Sequence, residues 1–140
     1  PQHSHPPPPQ SPTLYSSSAA SDVYKRQGWP GRRLVLAFQP HRYSRTHDAF
    51  QDFVSALSVV DVLLLAEVYA AGESPIAGAD GRTLSRAIRI RGHVDPVFVE
   101  DVGQLPVILQ DIVADGDIVV TMGAGNIGQV AARMAEEFCG

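Results

Sequence analysis

The stretch DIVVTMGAGNIGQVAARMAEEF, residues 117–138, decides the fold. Its first six residues, 117–122, form a short, almost continuously apolar run that is rich in β-branched side chains. Such a run is typical of a buried parallel strand. Small and turn-forming residues follow at 123–128. Apolar residues then recur with the period of a helix, at Ile127, Val130, Ala131, Met134 and Phe138. A buried strand, a glycine turn and an amphipathic helix in succession predict an α/β layer fold.

The same alternation of strand and helix is present upstream. Three further buried strands are predicted, at residues 33–38, 61–67 and 96–100. Helices are predicted at residues 83–90 and 105–113, and an earlier one is marked by helical spacing of Phe50, Phe53, Val54 and Leu57. Together they predict a Rossmann-like, mainly parallel sheet with helices on both faces, whose ligands bind beyond the carboxyl ends of the strands.

Residues 1–27 differ in composition from the rest and contain six of the eleven prolines. They have no periodic apolar face, so we expect a disordered leader. Residues 22–27, DVYKRQ, resemble the translated end of a transposon used to prepare DNA libraries, which predicts that the leader is non-native. His3 and His5 have no third ligand at a suitable spacing and do not indicate a metal site. The predicted domain is therefore residues 28–140.

Composition excludes several classes of function. The formal net charge of −4 gives no general electrostatic reason to bind nucleic acid or a membrane surface. No apolar run approaches the roughly 20 residues that a membrane-spanning helix needs. Cys139 is the single cysteine, so an internal disulfide is impossible and a reducing compartment is favoured. We expect a cytoplasmic domain that binds neither nucleic acid nor membrane.

Gly123, Gly125 and Gly128 match the G-x-G-x-x-G fingerprint of dinucleotide-binding domains. In that fold an acidic residue about 20 positions later contacts the ribose, but here the chain has only residues 129–140 left. Three interpretations remain open. The favoured one is a tight turn with close packing. The others are cofactor binding, as in a nicotinamide-dependent oxidoreductase, and anion contact at the N-terminus of the following helix.

The polar segment HRYSRT, residues 41–46, follows the first predicted strand. Arg42 and Arg45 are three positions apart, so on a helical turn they would face one side and could grip a carboxylate. The alternative is a solvated basic edge, or an ion pair with Asp48 or Asp52. Ser44 or Thr46 is the predicted cap of the helix that follows.

Some nucleotide and catalytic motifs are absent from the predicted domain. Residues 28–140 contain no lysine and no G-x-x-x-x-G-K-S/T phosphate loop. They also contain no G-x-S-x-G nucleophile elbow and no His/Asp cluster with metal-ligand spacing. This domain alone is therefore not expected to hold a nucleoside triphosphate or a metal ion.

Three blocks, in order, carry a specific resemblance to a known family: FQPHRYSRT at 38–46, EVYAAGESPI at 67–76 and GAGNIG at 123–128. They closely resemble the C-terminal domain of the Mur ligases, and within that family of the ligases that join L-alanine to UDP-N-acetylmuramate. The resemblance covers essentially all of residues 28–140. Ala70 stands where the family pattern has proline.

The resemblance implies an ATP-dependent ligase of three domains in peptidoglycan biosynthesis. An N-terminal domain would bind the UDP-sugar, a central domain would bind ATP and magnesium, and the domain present here would help to bind L-alanine. It implies that His41, Arg42 and Arg45 hold the alanine carboxylate, with Tyr69 and Glu73 as weaker candidates for the rim of the site. The Asp-Tyr-Gly-His-His-Pro-like segment that precedes this domain in the family is missing, so we expect a truncated chain, inactive alone. If it is expressed alone, a non-catalytic binding domain is the alternative description.

Overall fold

The computed structural model describes residues 13–17 and 31–139. In that part of the chain, one sheet is formed with the strand order β1-β5-β2-β3-β4. Each pair of neighbouring strands is parallel, which confirms the predicted parallel sheet. The strands are β1 (Thr13–Ser17), β2 (Leu34–Phe38), β3 (Val62–Ala66), β4 (Val97–Val99) and β5 (Ile118–Met122).

Helices connect the strands, and a 3₁₀ turn at Val102–Gln104 precedes the fourth of them. They are α1 (Tyr43–Asp48), α2 (Phe50–Leu57), α3 (Gly81–Arg91), α4 (Leu105–Ile112) and α5 (Ile127–Cys139). Over the described residues, none of these helices combines the length and the apolar character that a membrane crossing requires.

Both faces of the sheet are buried, because successive side chains of a strand point to opposite sides. On one face, Leu34, Leu36 and Phe38 of β2 belong to a core cluster with residues of α2 and α3. On the other face, Val35 and Ala37 pack with residues of α4 and α5. This double burial explains why β2 is continuously apolar rather than alternating.

The first helical region differs from its prediction. Two helices are present rather than one, with α1 ending before Ala49 (φ −105°) and α2 starting after it. Ser44 and Thr46, which were predicted to cap the helix, lie inside α1 instead. The Thr46 hydroxyl donates to the Arg42 carbonyl oxygen at 2.9 Å, so its hydrogen bond is made within the first turn and the cap prediction is wrong.

Five residues of the predicted disordered leader, Thr13–Ser17, form the edge strand β1. They pair in parallel with β5, from Thr13 opposite Ile118 to Ser17 opposite Met122. Strand addition uses backbone hydrogen bonds, so it does not need the periodic apolar face whose absence suggested disorder. The rest of the leader, with His3, His5, residues 22–27 and the predicted boundary at residue 28, lies outside the described residues.

Ser85 of α3 is 2% exposed, and its hydroxyl has no hydrogen-bond partner in the described part of the chain. We expect Ser85→Ala to stabilise the protein by about 1 kcal/mol, because it removes an unpaired buried hydroxyl and improves helix propensity. Urea unfolding measures this change. Ser58→Ala is the matched control: the buried Ser58 hydroxyl donates to the Val54 carbonyl oxygen at 2.6 Å, so its loss should destabilise. A loss of stability in both variants would contradict the prediction.

Candidate functional site

The sheet has a topological switch point between β2 and β5. From β2 the chain proceeds outward to β3 and β4, and then returns to place β5 on the other side of β2. The segment after β2 leads to α2 on one face of the sheet, and the segment after β5 leads to α5 on the other face. Open parallel sheets form ligand crevices at such points. A cleft of about 310 Å³ lies here, beyond the carboxyl ends of both strands. Apolar and polar residues line it together: Phe38, Gln39, His41, Arg45, Phe53, Met122, Gly123 and Ala124.

Arg45 supplies the positive charge of this cleft. It lies on α1, is exposed, and lines the cleft. Its guanidinium group makes no hydrogen bond or ion pair with any residue that the structure describes. A planar guanidinium in this state can bind a carboxylate through two parallel hydrogen bonds. The ion pairs suggested as an alternative, with Asp48 or Asp52, are not made in the described region.

Arg42 is the N-cap of α1 and does not have helical φ and ψ, so it and Arg45 are not both helical residues of one turn as predicted. Arg42 is the residue before α1 and has φ 74° and ψ 137°, a conformation that L side chains rarely adopt. Its backbone N–H donates to the Tyr69 carbonyl oxygen at 2.7 Å. Arg45 lines the cleft, whereas Arg42 is not among the residues that line it.

His41 and Tyr69 are brought together from separate segments. They form an isolated parallel bridge that extends the pairing of β2 and β3. Their rings stack, with centroids 5.6 Å apart and an interplanar angle of 11°. His41 lines the cleft, while Tyr69 is 39% exposed beside it. The sequence predicted both residues for the site but did not predict this contact.

The carboxylate of Glu73, a candidate for the rim of the site, is hydrogen-bonded to Ser44 of α1 and is not free. The Ser44 backbone N–H donates to Glu73 Oε1 at 3.0 Å, and the Ser44 hydroxyl donates to Oε2 at 2.6 Å. The bonds from the side chain and then the backbone of Ser44 lower the pKa of Glu73 below its ordinary value, with a smaller contribution from the charge of Arg42. This carboxylate therefore remains ionised and bound to Ser44 at neutral pH.

Gln39, which the sequence did not single out, connects three strand ends. It is 5% exposed, and its backbone N–H donates to the Met122 carbonyl oxygen at 3.0 Å. Its side-chain Oε1 accepts from the Ile127 backbone N–H at 3.1 Å, and its Nε2 donates to the Glu67 carbonyl oxygen at 3.4 Å. One buried amide thus links the end of β2 to the start of α5 and to the segment after β3. The available signal was a polar residue directly after a buried strand.

The packing interpretation of the glycine motif is confirmed at its first two positions. A Cβ on Gly123, whose φ is 147°, would lie 2.7 Å from the Gln39 carbonyl oxygen. A Cβ on Gly125 would lie 2.6 Å from Tyr69 Cγ. Gly128 has no neighbouring heavy atom within 4 Å of such a Cβ. The motif therefore serves close contact with the segments after β2 and β3, which disfavours the dinucleotide interpretation.

The fold and the cleft together define an α/β domain with a ligand crevice at its switch point. The profile of the family described as "Mur ligase, glutamate ligase domain" matches residues 16–125, and the chain belongs to the Mur ligase family. This match starts within the leader that composition had predicted.

Several curated proteins similar to this chain are named UDP-N-acetylmuramate–L-alanine ligase. That of an Azoarcus species is 66% identical over 110 residues, which are 79% of this chain and 24% of the relative. That of Paraburkholderia xenovorans is 61% identical over 119 residues, 85% of this chain and 26% of the relative. The chain thus spans about a quarter of the length of these relatives. These names favour the ligase interpretation over the oxidoreductase one.

Solved structures show the same fold. The UDP-N-acetylmuramate–alanine ligase of Thermotoga maritima superposes with a TM-score of 0.66 at 20% identity, over 90% of this chain and 27% of that one. A domain from a Haemophilus ducreyi protein, a putative UDP-N-acetylmuramate:L-alanyl-γ-D-glutamyl-diaminopimelate ligase, superposes with a TM-score of 0.60 at 13% identity. That match covers 89% of each chain.

Proposed function

We propose that this chain is the amino-acid-binding domain of an ATP-dependent ligase that joins L-alanine to UDP-N-acetylmuramate in peptidoglycan biosynthesis. The observation that carries the proposal is the position of Arg45, an exposed cation in the crevice between β2 and β5. The names of the relatives support the two substrates. The proposed enzyme acts in the cytoplasm, which its single cysteine fits.

In this proposal Arg45 binds the carboxylate of L-alanine. A guanidinium fork matches a carboxylate and leaves the amine of the zwitterion free to attack. After its ammonium form loses a proton, that amine attacks the phosphate-activated carboxyl carbon of UDP-N-acetylmuramate. An amide bond forms, the bond to phosphate breaks, phosphate leaves and the nitrogen gives up a second proton. His41 lines the same cleft. Arg42, which is exposed at the start of α1, and Tyr69, whose ring stacks on His41, are further candidates for substrate contact. Glu73 is given a supporting role, because both of its oxygens accept from Ser44 and the residue does not line the cleft.

Two observations bear on where ATP and magnesium are bound. No group of three or more His, Cys, Asp or Glu side chains is placed to hold a metal ion in the described ranges, 13–17 and 31–139. Residues 28–140 also contain no lysine to contact a triphosphate. We propose that ATP and magnesium are bound by other domains of the ligase, and that this chain alone has no ligase activity.

The test is a domain exchange followed by one substitution. Residues 28–140 replace the matching region of the Azoarcus ligase, and phosphate release is measured with UDP-N-acetylmuramate, ATP and varied L-alanine. Activity should be retained, and Arg45→Lys should lower kcat/KM for alanine by about ten- to a hundred-fold, since an ammonium cannot reproduce the fork. The KM for ATP should change little.

Arg86→Lys on the exposed surface of α3 is the matched control and should leave both KM values unchanged. Unaltered alanine kinetics in the Arg45→Lys chimera would remove Arg45 from the site. A chimera that prefers another amino acid would overturn the assignment of L-alanine.

A further inference from the structure

We infer that Glu73 is a positioning residue for the cleft: it caps α1 from a separate loop and thereby fixes the direction of Arg45. The inference rests on the proposed function, because it takes Arg45 as the cation that binds alanine. It assigns to Glu73 a role distinct from substrate contact.

The short helix α1 does not cap its own N-terminus. It has six residues, well below the length at which an isolated helix is stable in water. The residue before it, Arg42, makes no side-chain cap hydrogen bond, and there is no acidic residue in its first turn. The unpaired N–H groups of that turn therefore need a partner from elsewhere in the chain.

Glu73 provides the hydrogen-bond partner for the first turn of α1. Its two oxygens accept from the backbone N–H and from the hydroxyl of Ser44, at 3.0 and 2.6 Å. A carboxylate at the N-terminus of a helix also stabilises the positive end of the helix dipole. The lowered pKa of Glu73 keeps this charge in place. Both oxygens of the carboxylate thus bind Ser44 at the start of α1.

The loop that holds Glu73 is itself fixed by backbone hydrogen bonds. The Tyr69 backbone N–H donates to the Pro40 carbonyl oxygen at 2.8 Å, which ties the loop to the end of β2. The Glu73 N–H donates to the Ala70 carbonyl oxygen at 3.0 Å, across a turn in which Ala71 has φ 53° and Gly72 has φ 87°. This turn presents Glu73 to α1 in a defined position.

The contact between Glu73 and Ser44 bears on the cleft through Arg45. Arg45 directly follows Ser44 in α1, so the turn that Glu73 caps is the turn that carries the cation. When this cap is lost, the turn frays and the guanidinium group is no longer held towards the cleft. Alanine binding should weaken, while ATP binding, which the proposed function assigns to other domains, should not.

Two measurements test the inference. In the 140-residue chain, Glu73→Ala should speed hydrogen exchange at the Ser44 amide by about tenfold or more, whereas Glu100→Ala, at an exposed acid near β4, should not. In the chimera, Glu73→Ala should raise the KM for alanine about tenfold, the range expected for loss of a cap, with the KM for ATP unchanged. Combined with Arg45→Lys, it should add no further loss.

The outcomes separate this inference from the proposed function. If Arg45→Lys leaves alanine kinetics unchanged, the proposed role of Arg45 fails, whatever Glu73 does. If Arg45→Lys has its effect but Glu73→Ala does not, the inference alone fails. If the losses of the two single variants multiply in the double variant, the inference also fails, since Glu73 would then act independently of Arg45. Should Glu73→Ala not fold, Ser44→Ala, which removes only the hydroxyl, should show the same dependence on Arg45 at smaller size.

Discussion

Gly125→Ala should lower the free energy of unfolding by about 3 kcal/mol, because the added methyl group has no space. Its carbon would lie 2.6 Å from Tyr69 Cγ and 2.7 Å from Tyr69 Cβ. It would also lie 2.8 Å from Gln39 Oε1. The Cβ of Tyr69 is fixed to its backbone, so a side-chain rotation cannot relieve the contact. The segments after β3 and β5 would have to separate, which would also disturb the cleft.

The matched control is Gly128→Ala, three residues along in the same motif. A Cβ at Gly128 meets nothing within 4 Å, and the residue lies inside α5. Alanine should therefore stabilise the helix by about 0.5–1 kcal/mol. Urea unfolding followed by circular dichroism compares the two variants. Equal losses at positions 125 and 128 would show that the motif is intolerant as a whole and that the packing explanation fails.

Asp117→Ala should cost about 2–3 kcal/mol of unfolding free energy. Asp117 is 4% exposed, and its carboxylate accepts from Arg33 Nη2 at 2.7 Å and from the Ala114 backbone N–H at 2.8 Å. Removing it leaves the Ala114 N–H without a partner and leaves Arg33 Nη2 with only its bond to the Ile112 carbonyl oxygen at 2.7 Å, which costs more than the ion pair itself contributes. The Arg33 side chain is 40% exposed, so water compensates in part and the expected loss is below that of a fully buried pair.

Asp115→Ala provides the comparison, because Asp115 is exposed and lies two residues earlier in the same connection between α4 and β5. Its replacement should change stability by no more than about 0.5 kcal/mol. Thermal and urea unfolding measure both variants. A similar small change for Asp117→Ala would mean that the ion pair at the start of β2 and β5 contributes little.

The sheet and its helices could be predicted because their signal is local. Strands buried on both faces are continuous apolar runs, and Leu34–Phe38, Val62–Ala66 and Ile118–Met122 each lie inside a predicted strand. The apolar spacing of α5 predicted its buried face in the same way, at Ile127, Val130, Ala131 and Met134. The edge strand β1 has no such pattern, since it is added through its backbone.

The internal geometry of the site could not be predicted, because it depends on contacts between segments far apart in sequence. Ser44 and Glu73 are separated by 29 residues, and Gln39 and Ile127 by 88. The spacing of Arg42 and Arg45 suggested a pair on one helical face. The positive φ of Arg42, stabilised by its bond to Tyr69, places the two side chains differently.

The bonds around Gln39 and Tyr69 have a mechanical consequence. Three loops, after β2, β3 and β5, are joined by one buried amide, one ring stack and two backbone hydrogen bonds. None of them can shift alone without breaking a bond to another. In the proposed multidomain ligase, a rotation of this domain against a neighbouring one would therefore carry Gln39, His41 and Tyr69 together. The approach of a ligand held here would be set by the hinge of the whole domain rather than by a local loop.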